Sequence, residues 1–315
     1  MRPSVLTGAR AVVTGGAGFI GSNLVEHLAP QNEVVVFDRT PQRSAANASP
    51  IGKDVEYIEG DVRKPLDLER AVKGAHIVFH LAALASVPDS FRDPVSVNET
   101  NVHGTLHVLR AAKAAGVRRV VFASSSAVYG AGHPPLREDA PLDLLSPYAV
   151  SKAAGELWCR HYNEIGIETV ALRLFNVYGP RQRADGAYAA VIPSFLRAIA
   201  HGDAVSVFGD GEQTRDFVYV SDVAEAFSTA ATANAVAGEV VNVGSGEPIT
   251  IHGLLAVMGD VLGKEARVEV RDPRPGDIRH SFADAAKARQ LLGFRPRVGL
   301  TQGLLATSES LRDGG

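Results

Sequence analysis

Apolar residues in the first half of the chain fall in short unbroken runs, separated by stretches of helical periodicity. The runs are Ala11-Val12-Val13, Val34-Val35-Val36-Phe37, Val55–Ile58, Ile77–Leu81 and Arg119–Phe122. Strands without apolar/polar alternation are buried on both faces, as in a parallel sheet covered by helices. The pattern predicts a doubly wound parallel α/β sheet. An Ala- and Leu-rich stretch from Asn98 to Ala115 predicts a long helix ending at Gly116, and a second is expected from Pro147 to Ile165, closed by Gly166. A shorter helix is expected over Ser22–Leu28.

Beyond Asn176-Val177-Tyr178-Gly179-Pro180 the pattern loses its regularity. Loops rich in Gly, Pro, Asp and Arg recur at 182–188, 209–215, 244–248 and 272–277, with short strands and helices between them. The expected organisation is a Rossmann domain over 1–176 and a smaller α/β lobe over 177–315, interleaved with the first. Residues from Ser308 onward are expected to fray.

Composition narrows this picture mainly by exclusion. At 315 residues, 45% hydrophobic and 21% charged, the chain can bury a conventional core. A net charge of −3 gives no electrostatic case for nucleic acid or a membrane surface. No apolar run approaches the roughly 20 residues that span a bilayer. The first strand begins so near the N-terminus that no signal peptide fits before it, and a cytoplasmic protein is expected. Cys159 is the only cysteine and reads as a packing residue. His103 and His107 have helical spacing but lack the acidic companion of a helix-borne zinc motif, so no metal is expected.

Chemistry enters with Thr14-Gly15-Gly16-Ala17-Gly18-Phe19-Ile20-Gly21, which follows the first strand and opens a helix. Gly15, Gly18 and Gly21 permit a tight turn and close approach of the backbone to a pyrophosphate, the helix N-terminus offers unpaired N–H groups, and Phe19 and Ile20 in the same turn are expected cofactor contacts. Asp38 ends the second apolar strand, where a ribose-binding carboxylate belongs. It would accept hydrogen bonds from the adenosine 2′-hydroxyl and repel a 2′-phosphate, so NAD is favoured over NADP, a preference that neighbouring Arg39 weakens slightly. Asp61 and Val62 follow the third strand where adenine would lie, and the small residues after the fourth, Leu81-Ala82-Ala83, let the backbone lie against the cofactor.

Tyr148 and Lys152 are four residues apart at the start of a predicted helix and share one face. A free phenol, with a pKa near 10, is too weak a base at neutral pH. A neighbouring ammonium and an oxidised nicotinamide would lower it. Ser125, in the triplet Ser124-Ser125-Ser126, would share the proton of the same reacting oxygen. Tyr148 would thus take a proton from a secondary alcohol while hydride leaves its carbon.

With these residues in place the chain resembles an extended short-chain dehydrogenase/reductase of the nucleotide-sugar epimerase/dehydratase family. The resemblance runs through Asn101-Val-His-Gly-Thr105, the serine triplet, Tyr148/Lys152 and Asn176–Pro180, then Phe208–Phe217, Asn242–Gly246 and Arg274–Asp277. It implies that Lys152 also contacts the nicotinamide ribose, that Asn101 lies at the cofactor, and that NAD is held through turnover. It further implies a homodimer built on the helices near 98–115 and 147–165. Family dehydratases carry an Asp-Glu pair after the catalytic hydroxyl, where this chain has Ser126 and Ala127. Neither can ionise, and the acidic residue of the decarboxylases is missing too. What remains is oxidation at C4, rotation of the keto-sugar and return of hydride, which is 4-epimerisation.

On the substrate side the resemblance implies that Asn176, Arg215 and Arg274 bind the diphosphate of a UDP-sugar, with Asp277 at the ribose or ordering the Arg274 loop. Ser86, Ser124, Ser125, Ser126, Tyr148, Ala190, Val191 and Val207 are the other expected substrate contacts. The stretches Ala82–Pro88 and Gly186–Pro193 resemble those of epimerases that prefer UDP-N-acetylhexosamines, and the small Ser281 stands where a bulky residue would restrict the pocket. The expected activity is 4-epimerisation of UDP-GlcNAc/UDP-GalNAc, with activity on UDP-Glc/UDP-Gal. UDP-glucuronate, whose carboxylate Arg183 would meet, is the alternative, followed by a dehydratase or reductase and a non-catalytic NAD sensor.

Overall fold

The computed structural model describes residues 6–41, 55–183, 190–273 and 278–313. Its strands up to residue 174 are β1 (Arg10–Thr14), β2 (Glu33–Asp38), β3 (Val55–Glu59), β4 (Ile77–His80), β5 (Arg119–Ser125) and β6 (Glu168–Leu174). In the second half lie β7 (Asn176–Tyr178), β8 (Val205–Phe208), β9 (Thr214–Tyr219), β10 (Val240–Val243), β11 (Pro248–Thr250), β12 (Val268–Arg271) and β13 (His280–Ser281). Seven strands form a sheet in the order β10-β6-β5-β4-β1-β2-β3, every neighbouring pair parallel. This is the Rossmann-like α/β architecture expected, and β10 reaches it from the second half of the chain.

The unbroken apolar runs are explained by the two faces. Val13, Val34, Val36 and Phe79 enter one core with Phe227 and Ala230. Their neighbours Val12, Val35 and Val78 enter the opposite core with Val108 and Leu109. Each side chain of this kind contributes about 1.5–3 kcal/mol when fully buried, and the buried polar residues of the sheet, such as His80 and Arg173, are each hydrogen-bonded.

Strand order reverses between β1 and β4, and a crevice opens there at the C-terminal ends of the strands. Element boundaries depart from expectation where they matter. The first helix, α1 (Phe19–Leu28), starts at the residue after Gly18 and not at Ser22, so Phe19 and Ile20 form its first turn. Strand β5 continues past Phe122 and ends on Ser125. The expected helix over Asn98–Ala115 opens with a wider π segment, Asn98–His103, before α geometry begins at Gly104. The helix over Pro147–Glu164 is close to its expected span.

Beside the large sheet, β9 is flanked by β11 and β13 and pairs also with β7, while β8 pairs with β12. A separate apolar core, including Leu196, Val205, Leu254 and Met258, sits behind β8 and β9. Among the described residues no helix is long and apolar enough to cross a membrane.

Candidate active site

A cleft of about 690 Å³ opens at the strand reversal, lined by Gly15, Gly18, Phe19, Asp38, Arg39, Asp61, Val62 and Leu81–Leu84 among others. Its shape is set by the backbone. Gly15 has φ 72°, and a Cβ there would lie 2.7 Å from the Ala82 nitrogen. A Cβ on Gly21 would lie 2.1 Å from the Gly15 carbonyl oxygen. Only glycine lets the turn press against both neighbours. No side chain caps α1, so its first N–H groups and partial positive charge face an incoming anion.

Asp38 is fixed by two backbone donors, Ala17 N–H (3.0 Å) and Thr40 N–H (2.9 Å). A rigid carboxylate that can accept from the ribose hydroxyls, and helix N–H groups that can donate to a pyrophosphate across a glycine-floored turn, are what an adenosine diphosphate end requires, so the residues present fit NAD. Asp61 lines the same cleft, but its carboxylate accepts from the Arg63 guanidinium at 2.6 Å, which holds its pKa below the usual carboxylate range. Ile20 and Gly21 belong to the first turn of α1, behind the lining.

Asn101 departs from expectation. It is 2% exposed. Its carbonyl accepts Leu84 N–H (2.8 Å), and its amide donates to Leu84 O (3.0 Å) and Ser151 Oγ (2.9 Å). Both amide hydrogens are committed within the protein, so Asn101 holds Leu84 at the cleft wall. Ser151 lies on the helix that carries the phenol and donates to Tyr148 O (2.7 Å) within it, so the Asn101–Ser151 bond ties that wall to the helix.

Ser146 starts that helix, its hydroxyl accepting Ala149 N–H at 3.1 Å, and Pro147 follows at the first helical position. Tyr148 thereby sits in the first turn and Lys152 one turn later. Ser125 is near enough to the Tyr148 phenol to act on its pKa. The Lys152 ammonium donates to Ala123 O at 2.8 Å and lies 5.0 Å from the Phe122 ring centroid and 5.7 Å from that of Tyr148. Burial drives the lysine pKa down to about 8.

The expected lowering of the Tyr148 pKa is not a property of these side chains alone. Burial pushes the phenol above its ordinary value, and Ser125 only opposes that rise. Beneath the site His80 is held between Thr14 Oγ1 (2.7 Å) and Thr105 Oγ1 (2.9 Å). Burial, aided by the Lys152 charge, lowers its pKa to about 3.

Ser124 also corrects an expectation. Successive strand residues point to opposite faces, so Ser124 turns away from Ser125 and donates to Glu156 at 2.5 Å. Glu156 forms a buried two-point pair with Arg173 (2.9 and 2.7 Å). Ser124 therefore supports β5 and does not face a substrate. Ser126 opens the short 3₁₀ turn Ser126–Tyr129, and the Ser125 hydroxyl accepts Ala127 N–H at 3.1 Å.

A second cavity, of about 800 Å³, is lined by Ser86, Asn176, Ala190, Val191, Val207 and Arg215, together with Gln182, Gln213 and Phe217. Arg215 is the only charged side chain among its described lining residues. Arg215 and Phe217 are alternate residues on one face of β9, and Gln213 just before the strand continues the spacing, a period-two signal present in the sequence that the motif reading passed over. Asp216 between them is fully buried and accepts from Ser245 N–H (2.7 Å), Ser245 Oγ (2.5 Å), Gly246 N–H (3.0 Å) and Ala283 N–H (3.0 Å). That network fixes β9 and hence Arg215. Asn176 donates to Asp216 O (3.1 Å), tying β7 to the same strand.

Ser281 is buried, pairs in register with Arg215 and is not part of the cavity lining. The gating argument therefore rests on its place beside Arg215. Arg183, expected at the sugar, instead lines the dinucleotide cleft with Arg181. Arg274, Asp277 and Gly186–Tyr188 lie outside the described residues.

This sheet, glycine turn and Ser–Tyr–Lys constellation define an NAD-binding enzyme of the extended short-chain dehydrogenase/reductase type. Residues 11–244 match the family described as the NAD dependent epimerase/dehydratase family, to which this chain belongs. The chain is 38% identical over 311 residues to a UDP-glucose 4-epimerase of Mycolicibacterium smegmatis, covering 96% of this chain and 99% of that one. It is 35% identical to a UDP-N-acetyl-alpha-D-glucosaminuronate decarboxylase of Bacillus cytotoxicus, with 96% and 98% covered. The solved UDP-N-acetylglucosamine 4-epimerase of Methanobrevibacter ruminantium M1, in complex with UDP-N-acetylmuramic acid, superposes with a TM-score of 0.94 at 38% identity, covering 98% of this chain and 100% of that one. The cofactor is NAD, and the enzyme is of the 4-epimerase type.

Proposed function

We propose that the chain interconverts UDP-GlcNAc and UDP-GalNAc, and UDP-Glc and UDP-Gal with them, by inversion at C4. One observation carries the choice of a neutral sugar: Arg215 is the sole charge among the described residues lining the substrate cavity. A diphosphate occupies that guanidinium. A glucuronate carboxylate would need a second cation, and Arg183, the residue expected to supply it, lines the other cleft. Ala85, Val87, Ala190 and Val191 offer small apolar surface suited to an acetamido methyl.

Gly15, Gly18, Asp38 and the α1 N-terminus would hold NAD, which when bound accepts a hydride from the sugar and returns it. Tyr148 takes the proton of the C4 hydroxyl and later gives it back, sharing it with Ser125. Lys152 supplies positive charge beneath the phenol. Ser126 and Ala127 cannot ionise, so no group after Ser125 can expel a hydroxyl or remove the C5 proton. A single acid/base serving both directions is what an epimerisation needs.

A homodimer completes the proposal. Val150 and Leu157 are 50% and 68% exposed on the helix Pro147–Glu164, seven positions apart and so on one face. Leu157→Glu should shift a dimer to monomer in light scattering.

The test of function is product analysis after separate incubation with UDP-GlcNAc, UDP-Glc and UDP-GlcA. Fastest conversion of UDP-GlcNAc to its 4-epimer is expected. Fastest conversion of UDP-GlcA would overturn the neutral-sugar reading.

A further inference from the structure

The turn that leaves β7 runs back across α1. Asn23 donates to Pro180 O at 3.2 Å, and Glu26 is ion-paired with Arg181. Phe19, Asn23 and Glu26 share one face of α1 by their spacing, and Phe19 is itself part of the dinucleotide cleft wall. From this position Arg181 and Arg183 line the dinucleotide cleft. Gln182, between them, lines the substrate cavity and donates to Val177 O at 3.1 Å.

Arg181 has φ 70°, and it is the only non-glycine with a positive φ among the described residues. An L-residue bears a backbone cost in that region that glycine does not. A function for its side chain is the natural source of compensation.

Charge accounting locates that function. The N-terminus of a helix supplies roughly half a positive charge, whereas a dinucleotide diphosphate carries two negative ones. The cationic residues along the described cleft wall are Arg39, Arg181 and Arg183. Arg39 follows Asp38 at the ribose end, which leaves the two strap arginines for the diphosphate. We propose that Arg181, with Arg183 beside it, clamps the NAD diphosphate and sets how long the cofactor is retained. The inference concerns cofactor binding and stands apart from the sugar assignment.

NAD release from the loaded protein, followed after dilution, tests it with no turnover involved. Arg181→Gly removes the guanidinium while relieving the backbone. The expected result is release faster by about tenfold or more, as for loss of a charge-assisted contact, with a thermal midpoint of the NAD-free protein no lower than the parent's. Glu26→Gln removes an anion near the diphosphate and should leave release unchanged or slower. Release from Arg181→Gly within about twofold of the parent would overturn the proposal. So would equal acceleration in Glu26→Gln, which would make Arg181 a strut between the strap and α1. A fall in the NAD-free midpoint on Arg181→Gly would overturn it as well.

Discussion

The two clefts of this molecule are built by different means. The dinucleotide cleft is shaped largely by backbone: Gly15 and Gly21 leave room for close approach, and two N–H groups pin Asp38. The second cavity, proposed to take the substrate, is shaped by side chains from separated segments, among them 85–88, 176–178, 190–198, 204–208 and 213–217, with Arg215 the one charge its described lining carries. A backbone-shaped groove needs a particular residue type at each turn, so it leaves a compact signature in the chain. A side-chain-shaped cavity is defined by what converges in space, and its specificity is read as much from missing charges as from present groups.

The largest effect is expected at the phenol. Tyr148→Phe should lower kcat by about a thousandfold while NAD binding, measured by calorimetry, stays near normal. Near-normal turnover would remove Tyr148 from its assigned role. Arg215→Met should raise the dissociation constant for UDP by about 10- to 100-fold and leave NAD affinity unchanged. Equal loss of both would show that the clefts are not independent.

A smaller effect distinguishes them by pH. His80, under the dinucleotide cleft, keeps its neutral form down to about pH 3, against an ordinary value of 6.5. Between those values the unfolded chain binds the extra proton, so stability falls as pH drops through 6.5 toward 3. His80 should account for about 2 kcal/mol of lost stability at pH 5. Thermal midpoints of His80→Gln should therefore decline less steeply between pH 7 and 5 than those of the parent; parallel declines would dismiss His80 as the source.

How much was legible in the chain follows the same division. Unbroken valine runs gave the buried parallel strands because both faces of the sheet are covered. Gly15, Asp38, Tyr148 and Lys152 could be singled out as candidates because turn geometry and helical spacing are local. Ser124 was misread for want of one fact, that β5 extends to Ser125; strand alternation then assigns the two serines to opposite faces. Asn101 looked like a cofactor contact, yet its partners Leu84 and Ser151 are set by tertiary packing. Arg183 was assigned to the sugar because nothing local reveals that the strap runs back along α1. The raised Tyr148 pKa depends on burial, which a four-residue spacing does not encode. Asp216 escaped notice because its four donors come from residues 245, 246 and 283.

The central claim is that one acid/base centre inverts C4 without touching any other carbon. Incubating the NAD-loaded enzyme with UDP-GlcNAc in deuterium oxide, followed by NMR of the sugar ring, tests it directly. The account predicts conversion to UDP-GalNAc with no deuterium on any ring carbon. Deuterium at C5 would reveal removal of the C5 proton, which Ser126 and Ala127 cannot perform, and would contradict it.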